Sequence, residues 1–201
     1  VEDNHDFREF MTQTLENVYH VFAVDNGVEA MKILHDIEPD LIISDVMMPK
    51  MNGFQLCRNV KNDFKLSHIP IVLLTAESSD TGRENGYKSG ADSYITKPFN
   101  MNVLRARINQ LIEQREQRKK RFNSDVLIDP KDITISPLDE KFMSKAMECI
   151  KKNMNNADYG VEAFSSDMAM ERSNLYRKMQ AVVGKTPSEF IRSIRLKRAA
   201  Q

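Results

Sequence analysis

The sequence predicts an α/β domain built on a parallel sheet, followed by a second domain that is wholly helical. Two observations lead there. Residues 1 to 112 alternate short apolar runs with amphipathic ones, the pattern of βαβ units. From Leu138 onward the apolar residues recur only at helical spacing. Between the two, Pro130 and Pro137 lie among Asp, Ser and Asn residues, which marks a linker. The first domain is placed at 1–121, the linker at 122–137 and the helical domain at 138–201.

Taken in order, Phe7, Phe10, Met11 and Leu15 give one helical face, and "HVFAV" (20–24) reads as a strand. Ala30, Ile33, Leu34 and Ile37 form a second helical face that stops before Pro39. The run Leu41-Ile42-Ile43 is too short for a helix and is bounded by turn formers, so it reads as a buried strand ending at Asp45. A helix with Phe54, Cys57, Val60 and Phe64 follows. Then come the strand "IPIVLLTA" (69–76), a short polar helix over about 80–89, the strand "SYITKPF" (93–99), and a long helix with Leu104, Ile108 and Leu111. Right-handed crossovers are expected. A parallel strand should precede the first helix, yet only Val1 stands before Glu2 and Asp3; the first strand reads as truncated and the chain as a fragment.

Composition narrows the class. The 201 residues are 41% hydrophobic, enough for globular cores. No apolar stretch approaches the roughly 18 residues that span a bilayer, and no leader pattern opens the sequence, so a soluble, cytoplasmic piece is expected. Cys57 and Cys149 sit in separate helical patterns and suit buried thiols in a reducing compartment better than a disulfide. Zero net charge conceals an asymmetry. Residues 1–112 carry 11 Lys+Arg against 16 Asp+Glu, and residues 113–201 carry 18 against 13; the two halves are expected to have different partners.

In open parallel α/β sheets, ligands bind at the carboxyl ends of the strands. With strands ending near Val1, Ser44, Thr75 and Lys97, that rim gathers Glu2, Asp3, Asp45, Thr75 and Lys97. Three carboxylates repel one another unless a cation neutralises them, and hard oxygen ligands with open positions suit Mg²⁺, which also takes substrate phosphate. Such a site accepts a phosphoryl group: a carboxylate is the nucleophile, while a metal, a hydroxyl and an ammonium take the phosphoryl oxygens. Asp45 is the nucleophile of choice because it ends the most apolar strand. A single Asp after a strand is usually a turn or cap residue; the meeting of Glu2, Asp3, Asp45, Thr75 and Lys97 on one rim points to chemistry instead.

"VEDN", "DVMMPKMNG", "LLTA" and "YITKPF", in this order and at these separations, resemble the receiver domain of two-component response regulators. The resemblance implies a flavodoxin-like sheet of order 2-1-3-4-5. It implies Asp45 as phosphoacceptor and Glu2, Asp3 and Asp45, with the backbone carbonyl of Met47, as the Mg²⁺ ligands. It also implies Thr75 as switch hydroxyl, Lys97 as the phosphate-pairing lysine before a cis Pro98, and Tyr94 as an aromatic that moves with Thr75. Phosphorylation would then shift the balance between two arrangements of the surface around the fourth helix and fifth strand.

In the second half, Phe142, Ala146, Cys149 and Ile150 form one helical face, Val161, Phe164 and Met168 a second, Leu175, Met179 and Val182 a third, and Phe190, Ile191, Ile194, Leu196 and Ala199 a fourth. The second and third helices are joined by a short connection around Ala169–Glu171, which suggests a helix-turn-helix. Opposite Leu175 and Met179 stand Arg172, Ser173, Asn174, Arg177 and Lys178; Arg and Asn read base edges, whereas Lys and Ser more often hold phosphates. The alternative at this point is a helical dimerisation or docking module with a basic solvated face. "ERSNLYRKMQAVVGKTPSEFIRSIRLKRAA" resembles the first helix-turn-helix of AraC-type transcription factors, which normally carry two; with Gln201 in the connecting helix, the expectation is a fragment holding the first subdomain only.

The domain order is similar to the C-terminal part of Bacteroides-type hybrid two-component systems, although a free-standing response regulator has the same order. The expectation is a phosphorylation-controlled transcription regulator rather than an enzyme. Its phosphodonor would be a histidine kinase, in the same polypeptide or separate, its target promoter DNA, and its active form a homodimer. A hybrid would place the fragment on the cytoplasmic side of an inner-membrane sensor. Two alternatives are a flavodoxin-like, Mg²⁺-dependent phosphatase or phosphotransferase and a receiver used only for protein docking.

Overall fold

The structure is a computed structural model and describes residues 1–76, 89–124, 134 and 136–199. The chain divides into two compact units, Val1–Ile112 and Glu113–Gln201.

In the first unit the described strands are β1 (Ile42–Asp45), β2 (Ile71–Thr75) and β3 (Ser93–Thr96), parallel and in the order β1-β2-β3. Asp45 pairs with Leu74, and Thr75 with Thr96. Helices α1 (His5–Leu15), α2 (Gly27–Ile37), α3 (Gly53–Asn62) and α4 (Met101–Ser124), the last as far as Ile112, accompany them. The first three begin where an Asn side chain supplies the missing acceptor for the first-turn amides. Asn4 takes the amide of Phe7, Asn26 those of Val28 and Glu29, and Asn52 forms a reciprocal capping box with Gln55.

β2 is apolar from Ile71 to Leu74 because it is covered on both faces. Its alternate side chains divide between two cores: Ile71 and Leu73 join Leu34, Leu56, Val60 and Ile42, while Val72 and Leu74 join Met11, Leu15, Leu104 and Ile108. Each such side chain, fully buried, contributes roughly 1.5–3 kcal/mol.

The segment 20–24 does not form the expected strand. The described residues beside it are Val1 and Glu2. Those two residues do bridge the gap: Glu2 N donates to Val24 O at 3.1 Å, Val1 N to Ile43 O at 2.8 Å, and Asp45 N to Val1 O at 2.9 Å. The three strands observed correspond to the last three of the five expected. The polar helix expected over 80–89 falls, apart from its end at Ser89, outside the described residues.

The second unit holds α5 (Pro137–Lys152), α6 (Val161–Met168), α7 (Arg172–Val183) and α8 (Pro187–Ala199). Ser136 caps α5, with Pro137 in its first turn, a position where proline's missing N–H costs nothing. The core contains Met143, Ile150, Leu175 and Met179, with Phe164 and Phe190 stacked at 6.3 Å and 11°. The left-handed residue Ala169 (φ 55°) ends α6, and Gly184 (φ 68°) ends α7. Most of the expected linker, 125–133 and 135, lies outside the described residues.

Candidate functional site

β1 delivers Asp45 to the sheet's carboxyl rim, where the chain turns through Pro49 into α3. Gly53 N donates to Val46 O at 2.9 Å, closing that turn. A side chain at Gly53 would collide with the Asp45 carbonyl oxygen, so the glycine is what lets α3 start directly beneath the aspartate.

Around Asp45 the expected residues do meet. Glu2 and Asp45 are each 6% exposed and Asp3 is exposed; the three offer carboxylate oxygens within 4.8 Å of one another. Lys97, just past β3, reaches in with its Nζ 2.8 Å from Glu2 Oε2 and 2.6 Å from Asp45 Oδ1. It also lies 4.4 Å from the Phe7 ring centroid. Burial by itself would lower the Lys97 ammonium, but hydrogen bonds to Asp45 and Glu2 outweigh it and hold the group above its ordinary value. The other Asp45 oxygen, Oδ2, accepts from Met47 N at 2.8 Å. Lys97 N donates to Thr75 O at 2.7 Å, and the Lys97–Pro98 bond is cis, as expected. Three clustered carboxylates beside an open rim are a hard oxygen donor set and fit Mg²⁺.

Thr75 ends β2 on this rim. Tyr94 lies within β3, with its hydroxyl 3.0 Å from Ser89 Oγ. Arg8 is a member of the site that sequence reasoning missed: its Nη1 donates to the carbonyls of Glu2 (2.6 Å) and Asp3 (3.2 Å). Its position on the apolar side of α1, one residue from Phe7, was the available signal.

In the second unit α6 and α7 are joined by Ala169–Glu171 as expected. Arg172, Ser173 and Arg177 are exposed on α7 and Asn174 is half-buried; Arg172 pairs with Glu162 at 3.1 Å. Lys178 corrects the expectation. It is 3% exposed and forms an ion pair with Asp139 of α5, because it lies on the stripe of Leu175, Met179 and Val182 that faces the core. Tyr176, 48% exposed, takes a place on the outer face that the sequence reading did not assign.

Comparison with known proteins places the first unit in a family. The response regulator receiver domain family matches residues 1–109, and the chain belongs to that family. Its first unit is a flavodoxin-like receiver domain of a two-component system, a phosphoacceptor switch. Over all 201 residues it is 44% identical to Histidine kinase P4 of Formosa agariphila, of which it spans 15%. It is 40% identical over 98 residues to the probable transcriptional regulator ycf29 of Pyropia yezoensis, covering 49% of this chain and 44% of that protein. The chain thus spans less than half of each. Among solved structures, the receiver domain of a Syntrophus aciditrophicus signal transduction histidine kinase matches with TM-score 0.54 and 40% identity, covering 56% of this chain and 86% of that one. The receiver domain of the Pseudomonas aeruginosa sensor histidine kinase PA1611, with magnesium coordinated in its active-site cleft, matches with TM-score 0.53 and 27% identity, covering 56% and 93%. No helix among the described residues is long and apolar enough to cross a membrane.

Proposed function

We propose that Asp45 accepts a phosphoryl group from a histidine kinase and that the second unit carries the output by binding promoter DNA as an AraC-type helix-turn-helix. The observation that carries the first part is the convergence of Glu2, Asp3, Asp45 and Lys97 on one rim. Glu2, Asp3 and Asp45, with the Met47 carbonyl, would hold Mg²⁺, which when bound offsets charge on the phosphoryl oxygens. An Asp45 carboxylate oxygen attacks phosphorus as the bond to the donor histidine nitrogen breaks. Lys97 now contacts Asp45 Oδ1, and on phosphorylation its ammonium transfers to a phosphoryl oxygen, with the Thr75 hydroxyl taking another. Loss of the Lys97 contact and rotation of Thr75 and Tyr94 then bias the switch surface.

For the output, the outer face of α7 presents Arg172, Ser173, Tyr176 and Arg177, and residues 172–201 carry eight basic residues against one acidic. A helix with such a face suits the major groove, and paired sites in a homodimer raise affinity through effective concentration. The identity to Histidine kinase P4 across the whole chain supports a hybrid polypeptide in which the kinase lies on the same chain.

Intact mass after incubation with acetyl phosphate and Mg²⁺ tests the acceptor. One phosphoryl group is expected on the unmodified chain and none on Asp45→Asn or after chelation. Multiple turnover of the phosphate ester would instead establish a phosphatase. Selection from random duplexes tests the output: salt-dependent, sequence-selective binding is expected, lost in Arg177→Ala, whereas no selection would leave the helical unit a docking module.

A further inference from the structure

We infer that Arg8 is a positioning residue for the divalent cation, fixing the Glu2–Asp3 turn so that its two carboxylates face the rim. The inference rests on the reading of that rim as a cation site. Among the described residues two basic side chains approach the acidic cluster, and they do so in opposite ways. The Lys97 ammonium contacts carboxylate oxygens of Glu2 and Asp45, the same atoms a cation would use, so it competes with the metal. The Arg8 guanidinium contacts no carboxylate in these hydrogen bonds: a single nitrogen, Nη1, takes the main-chain carbonyls of Glu2 and Asp3 together.

The rest of the turn is tied to match. Asn4 N donates to Glu2 Oε1 at 3.3 Å, and Asn4 Oδ1 caps α1 through Phe7 N at 2.9 Å. Arg8 itself is fixed within α1, where its carbonyl accepts from Thr12 Oγ1 at 2.8 Å and its amide donates to Asn4 O at 2.9 Å. Drawing both carbonyls toward the helix commits the backbone between Glu2 and Asp3 to one orientation and keeps the guanidinium off their carboxylates. An arginine is always charged, so it also offsets part of the repulsion among the three carboxylates in the metal-free state without occupying a ligand position. Groups that orient ligands without touching the metal typically govern affinity by 10- to 100-fold.

The test is calorimetric titration of the whole chain with MgCl₂, comparing the unmodified protein with Arg8→Met, Arg8→Lys and Lys97→Met. Circular dichroism checks each fold, and acetyl phosphate labelling follows at low and at saturating Mg²⁺. Arg8→Met is expected to weaken Mg²⁺ by about 10- to 100-fold, Arg8→Lys to restore most of it, and Lys97→Met to tighten it. Labelling of Arg8→Met should recover at saturating Mg²⁺, which sets a positioning role apart from contact with the phosphoryl group. Unchanged or tighter Mg²⁺ binding in folded Arg8→Met overturns the inference, as does Arg8→Lys binding no better than Arg8→Met, or a labelling defect that saturating Mg²⁺ does not relieve. If the unmodified chain binds no Mg²⁺, the cation-site reading itself fails and this inference falls with it.

Discussion

Lys178 of α7 and Asp139 of α5 form an ion pair whose side chains are 2% and 1% exposed. The pair joins the helix proposed to read DNA to α5 of the same unit. Breaking a buried pair strands one charge in an apolar setting, at a cost of about 3–5 kcal/mol. Lys178→Met alone is therefore expected to lower unit stability by that amount in urea unfolding, and Lys178→Met with Asp139→Leu to recover most of it. If the double variant still binds DNA with an unchanged salt slope, Lys178 makes no phosphate contact.

Gly53 makes the acceptor loop possible. Replacing it with Ala sets a methyl group against the main chain of Asp45 and Val46, where backbone must yield rather than a side chain. Gly53→Ala should cost about 1–3 kcal/mol and slow acetyl phosphate labelling of Asp45. A variant that labels at the normal rate with normal stability would show that α3 can start elsewhere.

Tyr159 gives the second unit an alkaline limit. Its phenol is 4% exposed and donates to Asp167 Oδ2 at 2.8 Å; burial first, and then the hydrogen bond and charge of Asp167, raise it well above the ordinary tyrosine range. An unfolded tyrosine ionises near about 10. The folded form is thus favoured in full below that value, and stability falls as pH rises from about 10 toward the folded value. Urea midpoints between pH 8 and 11 should decline accordingly, and Tyr159→Phe should decline less steeply. That variant should also lose about 1.5–3 kcal/mol at pH 8, the worth of a hydrogen bond to a charged group.

Cys57 should resist alkylation. It is fully buried, burial raises its thiol, and its Sγ donates to Ser89 O at 3.2 Å. Because the thiolate is the reactive form, iodoacetamide at pH 7 is expected to leave Cys57 unmodified in the folded chain and to label it after unfolding. Peptide mapping distinguishes it from half-buried Cys149.

The rim was legible because strand ends are marked by abrupt changes from apolar to polar, and four such changes point at one another in a parallel sheet. Helix starts were equally plain wherever Asn precedes an amphipathic run. What failed is what depends on a neighbour. "HVFAV" has every local property of a strand, but pairing belongs to two segments, and its described contact is Glu2 N to Val24 O. Lys178 was placed outward by its chemistry although its spacing from Leu175 and Val182 placed it inward; a buried partner 39 positions away in sequence decided the matter. Arg8 escaped for a related reason, since a side chain that hydrogen-bonds main-chain carbonyls leaves no complementary residue type to find.

Ala169 bears on how heat resistance is distributed in the second unit. A left-handed conformation costs an L-residue about 1–2 kcal/mol relative to the right-handed helix, and here it is held by Ala169 N to Ser166 O, Met170 N to Ser165 O and Ser165 Oγ to Met170 O. That turn fixes the elbow between α6 and α7, so the bend is maintained against a standing conformational penalty. Glycine at this position relieves the penalty and, after its own entropic cost in the unfolded chain, should raise the melting temperature by a few degrees while the elbow stays in place. Ala169 is thus a site where thermal tolerance can be engineered without touching either the acidic rim or the outer face of α7.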